Sequence, residues 1–98
     1  MTRLQFEPRL GEDLARIQAH LLAHDVPDVP ARVDEIVTAL AVLKDHPLIG
    51  RKGAPGRREL VIGRGGRGYV ALYLYDPLDD VVAVLALRSQ REAGFGDV

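Results

Sequence analysis

The segment Arg57–Arg88, "RRELVIGRGGRGYVALYLYDPLDDVVAVLALR", decides the fold of this chain. It contains three stretches rich in the β-branched, aromatic and aliphatic residues that strands favour, namely Arg57–Gly63, Tyr69–Asp76 and Val81–Arg88. The glycine-rich loop "GRGGRG" joins the first stretch to the second, and the polar turn "DPLDD" joins the second to the third. Loops this short connect neighbouring antiparallel strands, so the segment predicts a three-stranded antiparallel meander.

Two amphipathic stretches precede the meander. The first begins at Arg9, and Glu12 and Asp13 near its start suit the positive end of a helix dipole and are placed off the apolar stripe. In the second, Asp28 is expected to cap the helix and Pro30 to lie in its first turn, while Pro47 ends the pattern. The apolar stripes of the two predicted helices are Leu10, Leu14, Ile17 and Leu21 in the first and Val33, Ile36, Val37, Leu40 and Leu43 in the second.

The N-terminal stretch Arg3–Pro8 alternates apolar and polar residues, which predicts a short strand. The element order is therefore strand, helix, helix, strand, strand, strand. This order predicts one α+β domain over residues 1–98, with the N-terminal strand and a helical hairpin packed on an antiparallel sheet. The predicted core consists of Leu14, Ile17, Leu21, Ile36, Leu40, Leu43, Leu72 and Leu85.

Composition excludes several classes of protein. The 98 residues include no cysteine, so a disulfide framework and a thiolate metal site are excluded. No apolar run approaches the roughly 20 residues of a membrane span, and the N-terminus does not have the pattern of a signal peptide. We therefore expect a cytoplasmic protein with no membrane partner.

Positive charge is concentrated in one part of the chain. Six of the thirteen basic residues lie between Arg51 and Tyr69, with Glu59 as the one acid, although the whole chain has a net charge of −1. Such a cluster predicts a local surface that binds an anion or an acidic target. With two arginines near the C-terminus, the candidate residues are Arg51, Lys52, Arg57, Arg58, Arg64, Arg67, Arg88 and Arg91.

Other motifs do not indicate a cofactor or a metal. The glycine loop lacks the Lys-Ser/Thr pair and the following helix of a phosphate-binding loop. His20 and His24 lie four residues apart on the first helix, but no third metal ligand accompanies them. Ser89 lies in no nucleophile-elbow pattern. We expect no cofactor and no metal.

The middle strand places Tyr69, Tyr73 and Tyr75 on one face by its period of two. Two interpretations remain open for this face. It is either a surface on which nucleic-acid bases stack, or a cover for the sheet whose hydroxyl groups form hydrogen bonds at the margin.

The stretches "DHPLIGRKGAPGRRELVIG", "GYVALYLYD" and "VVAVLALRSQREAGF", together with "LQFEPRLGEDLARI", resemble the RelE/ParE superfamily of bacterial type II toxins. The resemblance covers nearly the whole chain, and "RELV" and "PLIGR" are closer to the ParE side. It implies a plasmid-stabilization or growth-arrest toxin that a cognate antitoxin neutralises.

The superfamily contains two activities. ParE-like members poison DNA gyrase and cut no RNA, whereas RelE-like members cut messenger RNA on the ribosome. For RelE-like cleavage the resemblance assigns Arg58 and Arg88 to the strand arginines and Lys52 to a loop lysine. The C-terminal Tyr or His that would transfer a proton is absent, and the nearest aromatic residue is Phe95.

The resemblance to the ParE side, together with the absence of the C-terminal Tyr or His, therefore implies a gyrase inhibitor that is not an endoribonuclease. Two alternatives remain open: a RelE-like messenger RNA endoribonuclease, and a degenerate toxin-fold protein that only binds its partner.

Overall fold

The computed structural model describes residues 2–63 and 68–90. The elements follow in the order β1 (Arg3–Phe6), α1 (Pro8–Ala23), α2 (Val29–Ala41), a 3₁₀ turn (Val42–Lys44), β2 (Arg51–Lys52), β3 (Arg58–Ile62), β4 (Tyr69–Asp76) and β5 (Val81–Ser89). The predicted α+β fold and its element order are confirmed. The two-residue strand β2 was not predicted, because two residues are too few to show a periodic pattern.

The five strands form one sheet in the order β1-β5-β4-β3-β2. Strands β3, β4 and β5 form the predicted antiparallel meander. Strand β1 joins the far edge parallel to β5, with Arg3 beside Val81 and Phe6 beside Val84, so the sheet is mixed. At the opposite edge β2 pairs with the start of β3, which places Lys52 beside Arg58.

Each helix has a proline in its first turn, where the missing N–H group has no helical partner to lose. Helix α1 starts at Pro8 rather than Arg9. Helix α2 is capped as predicted, because the Asp28 carboxylate accepts a hydrogen bond from the Ala31 N–H at 3.3 Å, and Pro30 lies in its first turn. None of the described helices has the length and apolar character needed to cross a membrane.

The helices pack on one face of the sheet, here called the helix face, and the opposite face is called the far face. Tyr69 and Tyr73 are buried on the helix face, within the core cluster. Tyr75 packs against the same cluster and donates a hydrogen bond to the Asp80 carboxylate at the sheet margin. The base-stacking interpretation of the tyrosine face is therefore wrong, because the helices occupy that face.

Most of the predicted core is confirmed. Leu14 is partly buried against the core, and Leu72 is buried on the far face, in register with Glu59 and Ala86. Leu85 is only half-buried, because a β-bulge leaves it without a partner in the β4–β5 ladder. The predicted residues that are buried in the core are Ile17, Leu21, Ile36, Leu40 and Leu43.

Asp13 is buried, contrary to the expectation that it lies off the apolar stripe of α1. Its carboxylate accepts a hydrogen bond from the Leu87 N–H at 2.8 Å, and Arg16 donates to the Leu87 carbonyl at 3.3 Å. The paired part of β1 ends opposite Val84, so these two side chains satisfy the backbone of β5 where no strand covers it.

Candidate functional site

The structure describes five of the eight predicted anion-binding residues, which are Arg51, Lys52, Arg57, Arg58 and Arg88. The other three, Arg64, Arg67 and Arg91, lie outside the described residues. The five described residues occupy different surroundings, and their binding roles stay predictions.

Arg51 forms an ion pair on the far face. Its Nη2 lies 3.0 Å from the Glu59 Oε1, and its Nε donates a hydrogen bond to the same oxygen at 3.1 Å. The pairing of β2 with β3 places these two residues directly opposite each other. Because the Arg51 side chain is 62% exposed, solvent screens the pair, which therefore contributes little to stability. The pair neutralises much of the charge that Arg51 would present to a ligand.

Arg58 lies on the helix face, opposite Tyr73. Its Nη1 donates hydrogen bonds to the carbonyl groups of Leu48 and Gly50, at 3.2 and 2.8 Å. The segment before β2 runs over this part of the sheet, so the guanidinium holds a loop backbone in place. At least one of its nitrogen atoms is thus engaged within the protein.

Gly50 is held from the other side by Tyr73. The Gly50 N–H donates to the Tyr73 hydroxyl at 2.8 Å, in a buried position. A Cβ atom at residue 50 would lie 2.6 Å from the tyrosine ring and hydroxyl, and 2.8 Å from the Glu59 carbonyl oxygen. No residue with a side chain fits here without a shift of the backbone. Burial raises the pKa of Tyr73, and the Gly50 N–H and the Arg58 charge partly offset that rise.

Lys52 and Arg57 line an open cleft of about 470 Å³, here called the basic cleft. Lys52 is exposed on β2, and Arg57 is half-buried in the turn that joins β2 to β3. No acidic residue is found among the described residues of the lining. The full lining is Leu48, Lys52, Gly53, Ala54, Pro55, Gly56, Arg57, Arg58, Tyr75 and Pro77.

The structure does not bring Arg88 to this cleft. Arg88 lies near the end of β5, opposite Val70, which in turn pairs with Val61 of β3. Val70 lies between Tyr69 and Ala71, which are buried on the helix face, so its side chain is on the far face. Its partner Arg88 therefore lies on the far face as well. Arg58 and Arg88, the two strand arginines assigned to RNA cleavage, therefore lie on opposite faces of the sheet.

A hydrogen-bonded group behind the cleft was not indicated by the sequence. The Asp80 carboxylate accepts hydrogen bonds from the hydroxyl groups of Thr2, at 2.7 Å, and Tyr75, at 2.9 Å. These bonds lower the pKa of Asp80, and the bond to Asp80 raises the pKa of Tyr75. Thr2 and Asp80 are 78 residues apart, so no local pattern connects them.

The histidine pair forms no metal site with other described residues. The rings of His20 and His24 lie 4.1 Å apart, and the His24 Nδ1 is 2.9 Å from the His20 carbonyl oxygen. Across residues 2–63 and 68–90, no three histidine, aspartate or glutamate side chains form a group able to hold a metal ion.

Sequence reasoning found the cations of the cleft but missed its apolar lining. Leu48, Pro55 and Pro77 come from three separate turns, and no periodic pattern marks any of them. Gly50 belongs to the stretch "PLIGR", in which nothing local indicates that a side chain is excluded at this position. Its requirement for a missing side chain arises from Tyr73, which is 23 residues away in sequence.

Comparison with known proteins gives a consistent set of relatives. A family model described as the ParE toxin of the type II toxin–antitoxin system parDE matches residues 4–94. The chain is 28% identical over 92 residues to the toxin RelE3 of Caulobacter vibrioides, covering 94% of this chain and 98% of that protein.

Solved structures with the same fold include toxins of both branches. The chromosomal ParDE system from P. aeruginosa aligns with a TM-score of 0.76 at 20% identity, over 91% of this chain and 96% of that one. The E. coli RelBE toxin–antitoxin complex aligns with a TM-score of 0.64 at 15% identity, over 94% of this chain and 100% of that one. At these identities the structural likeness establishes the fold alone.

Proposed function

This chain belongs to the ParE toxin family of type II toxin–antitoxin systems, and from that premise we propose that it inhibits DNA gyrase, cuts no RNA and is neutralised by a cognate antitoxin. The observation that carries the proposal is the separation of Arg58 from Arg88. Cleavage of RNA without a metal requires a base, an acid and cations around a single phosphate. Two arginines on opposite faces of a sheet cannot surround one phosphate.

The distribution of proton-transferring side chains supports the same conclusion. No histidine follows His46 in the sequence, and no tyrosine follows Tyr75. The three tyrosines of β4 face the helices, and the raised pKa values of Tyr73 and Tyr75 make their hydroxyl groups weaker acids that stay protonated near neutral pH. Arginine, with a pKa above ~12, is a poor proton shuttle in its place.

The solved relatives support an antitoxin partner. The P. aeruginosa structure is of a ParDE system and the E. coli structure is of a RelBE toxin–antitoxin complex. By analogy with them, we propose that this chain is released from a cognate antitoxin before it acts. An antitoxin that covers Lys52 and Arg57 would screen their charge while it is bound.

Two assays test the proposal on wild-type protein and on the variants Arg58→Ala and Arg88→Ala. One follows DNA supercoiling by purified gyrase, and the other maps messenger RNA ends in a translating extract. We expect wild-type protein to inhibit supercoiling and to leave the messenger RNA uncut. The variant Arg3→Ala, at an exposed position on β1, is the control for loss of one positive charge.

Cuts at defined codon positions, made by wild-type protein and lost in either arginine variant, would overturn the gyrase proposal in favour of an endoribonuclease. Normal growth of cells that accumulate soluble wild-type protein would instead point to the degenerate binding protein.

A further inference from the structure

We propose that the basic cleft binds an acidic segment of the toxin's protein target, and that this segment inserts an apolar side chain between two carboxylates. The inference rests on the proposed function in one respect, since it takes the occupant to be a protein such as gyrase. It goes further by assigning the contact to Lys52, Arg57 and Leu48, three of the residues that line the cleft.

Charge is the first argument. Arg51 is paired with Glu59, and Arg58 donates to the carbonyl groups of Leu48 and Gly50. Within the part of the chain that the structure describes, Lys52 and Arg57 form no side-chain hydrogen bond or ion pair. Their charges are therefore available to a ligand, and carboxylates complement them.

The apolar lining is the second argument. Leu48 is 58% exposed at the cleft, and Pro55 and Pro77 are exposed around it. Exposed apolar surface beside charge is typical of protein-binding sites. Proteins that bind single-stranded RNA commonly stack its bases on aromatic rings, but Tyr75, the one aromatic residue of the described lining, packs against the core. The lining therefore favours a protein segment over RNA.

Rigidity is the third argument. Arg58 fixes the backbone on one side of the cleft. On the other side, the Gly53 N–H donates to the Arg57 carbonyl at 3.1 Å, and the Arg57 N–H donates to the Ala54 carbonyl at 2.8 Å. Gly56 completes this turn with a φ of 74°, which glycine adopts without strain. A preformed site loses less conformational entropy when it binds.

A second cleft lacks this combination. It has a volume of about 500 Å³ and lies between α2 and the ends of β3 and β4. Arg32 and Glu35 both line it, so opposite charges are present and no ligand charge is preferred.

The test uses the full chain with the double substitution Lys52→Glu and Arg57→Glu. The matched control, Arg3→Glu with Lys44→Glu, changes the charge by the same amount at two exposed residues outside the cleft. Binding of purified gyrase to immobilised toxin and growth arrest on expression are measured for both. We expect the cleft variant to bind gyrase at least tenfold more weakly and to lose growth arrest, and the control to stay within twofold of wild type.

A second pair of variants tests the apolar contact. Leu48→Ser removes an apolar side chain that is 58% exposed in the cleft, and Leu22→Ser removes one that is 60% exposed on α1. We expect only Leu48→Ser to weaken gyrase binding, by severalfold. Equal binding of gyrase by both variants would contradict the proposed contact between Leu48 and an apolar side chain of the target.

The outcomes separate this inference from the proposed function. If wild-type protein arrests growth without binding gyrase, the gyrase proposal fails. In that case, loss of growth arrest in the cleft variant but not in the control variant still supports a cleft that binds the target. Full growth arrest by the cleft variant overturns the inference. So does equal affinity for gyrase of the cleft variant and a wild-type protein that binds gyrase.

Discussion

Two short segments beside the basic cleft differ in what holds their backbones: side chains of the sheet hold one, and the other forms its own hydrogen bonds. The lead-in Leu48–Gly50 has no regular secondary structure, and its backbone is held by the side chains of Arg58 and Tyr73. The turn 53–57 satisfies its own backbone and leaves the Arg57 side chain without a hydrogen-bond or ion-pair partner among the described residues. Adjacent arginines thus serve different purposes: Arg58 stabilises the fold, and Arg57 remains available for binding.

Strand geometry explains the difference. Arg58 is the first residue of β3 and pairs with Tyr73, which directs its side chain toward the helix face and the loop that lies there. Arg57 precedes the strand, so the sheet does not fix its direction. The positive charges that cluster in this stretch of sequence therefore do not form a single surface.

The largest effect is expected for Gly50→Ala in the held segment. The added Cβ would lie 2.8 Å from a backbone oxygen, which cannot rotate away, and 2.6 Å from the Tyr73 ring. We expect the free energy of unfolding in urea to fall by about 3 kcal/mol, as for severe overpacking.

Gly11→Ala is the control for this substitution. Nothing lies within 4 Å of a Cβ at Gly11, which is inside α1, so alanine should raise the free energy of unfolding by about 0.5–1 kcal/mol. Equal stability of the Gly50→Ala variant and wild type would mean that the lead-in is not held as described.

The next effect distinguishes the adjacent arginines. Arg58→Ala removes the donor of two hydrogen bonds to backbone carbonyls, and we expect a loss of about 2 kcal/mol in the free energy of unfolding. Arg57→Ala should change it by less than about 0.5 kcal/mol, as is usual for surface positions. Urea denaturation of both variants measures the contrast, and equal losses would remove the distinction between the two segments.

A smaller effect is expected for Tyr73→Phe, which keeps the ring but removes the acceptor of the buried Gly50 N–H. An unsatisfied buried donor should lower the free energy of unfolding by about 1–2 kcal/mol. Amide exchange of Gly50, followed by NMR, should also become faster. Unchanged exchange would indicate that Arg58 alone holds the loop.

The smallest effect concerns pH. The Asp80 pKa is lowered by the hydrogen bonds from Thr2 and Tyr75, so its carboxylate stabilises the folded protein at pH values above the unfolded pKa of about 3.9. This contribution is lost as the pH falls through the lowered pKa of the folded state. Asp80→Asn keeps a residue that tolerates the φ of 54° at this position.

We therefore expect the urea midpoint of wild type to exceed that of Asp80→Asn at neutral pH, and the difference to shrink in acid. A difference that stays constant from neutral pH to about pH 2, below the range of ordinary aspartate pKa values, would contradict the assignment.

Much of the fold was predictable because hydrophobic period and turn chemistry are local properties. The helix stripes, the Asp28 cap and the three-stranded meander each depend on residues close in sequence. Leu85 was misplaced because a bulge shifts the register, and a bulge leaves no mark on an unbroken apolar run. Asp13 has the spacing of a stripe position, three residues after Leu10, but its partner Leu87 lies 74 residues away.

The candidate site was predictable only in its charge. Counting residues identified Lys52, Arg57, Arg58 and Arg88 as cations. Which face each side chain occupies depends on strand register and on the bulge, and these follow from long-range pairing. The separation of Arg58 from Arg88 therefore emerged only from the structure.

Hydrogen–deuterium exchange of the toxin with and without purified gyrase tests the contrast between the two segments most directly. The account predicts that gyrase slows exchange in the turn 53–57, while the Gly50 N–H changes little because it is already hydrogen-bonded and buried. Slower exchange confined to β4 and β5, with the turn unchanged, would contradict the account and place the target on another surface.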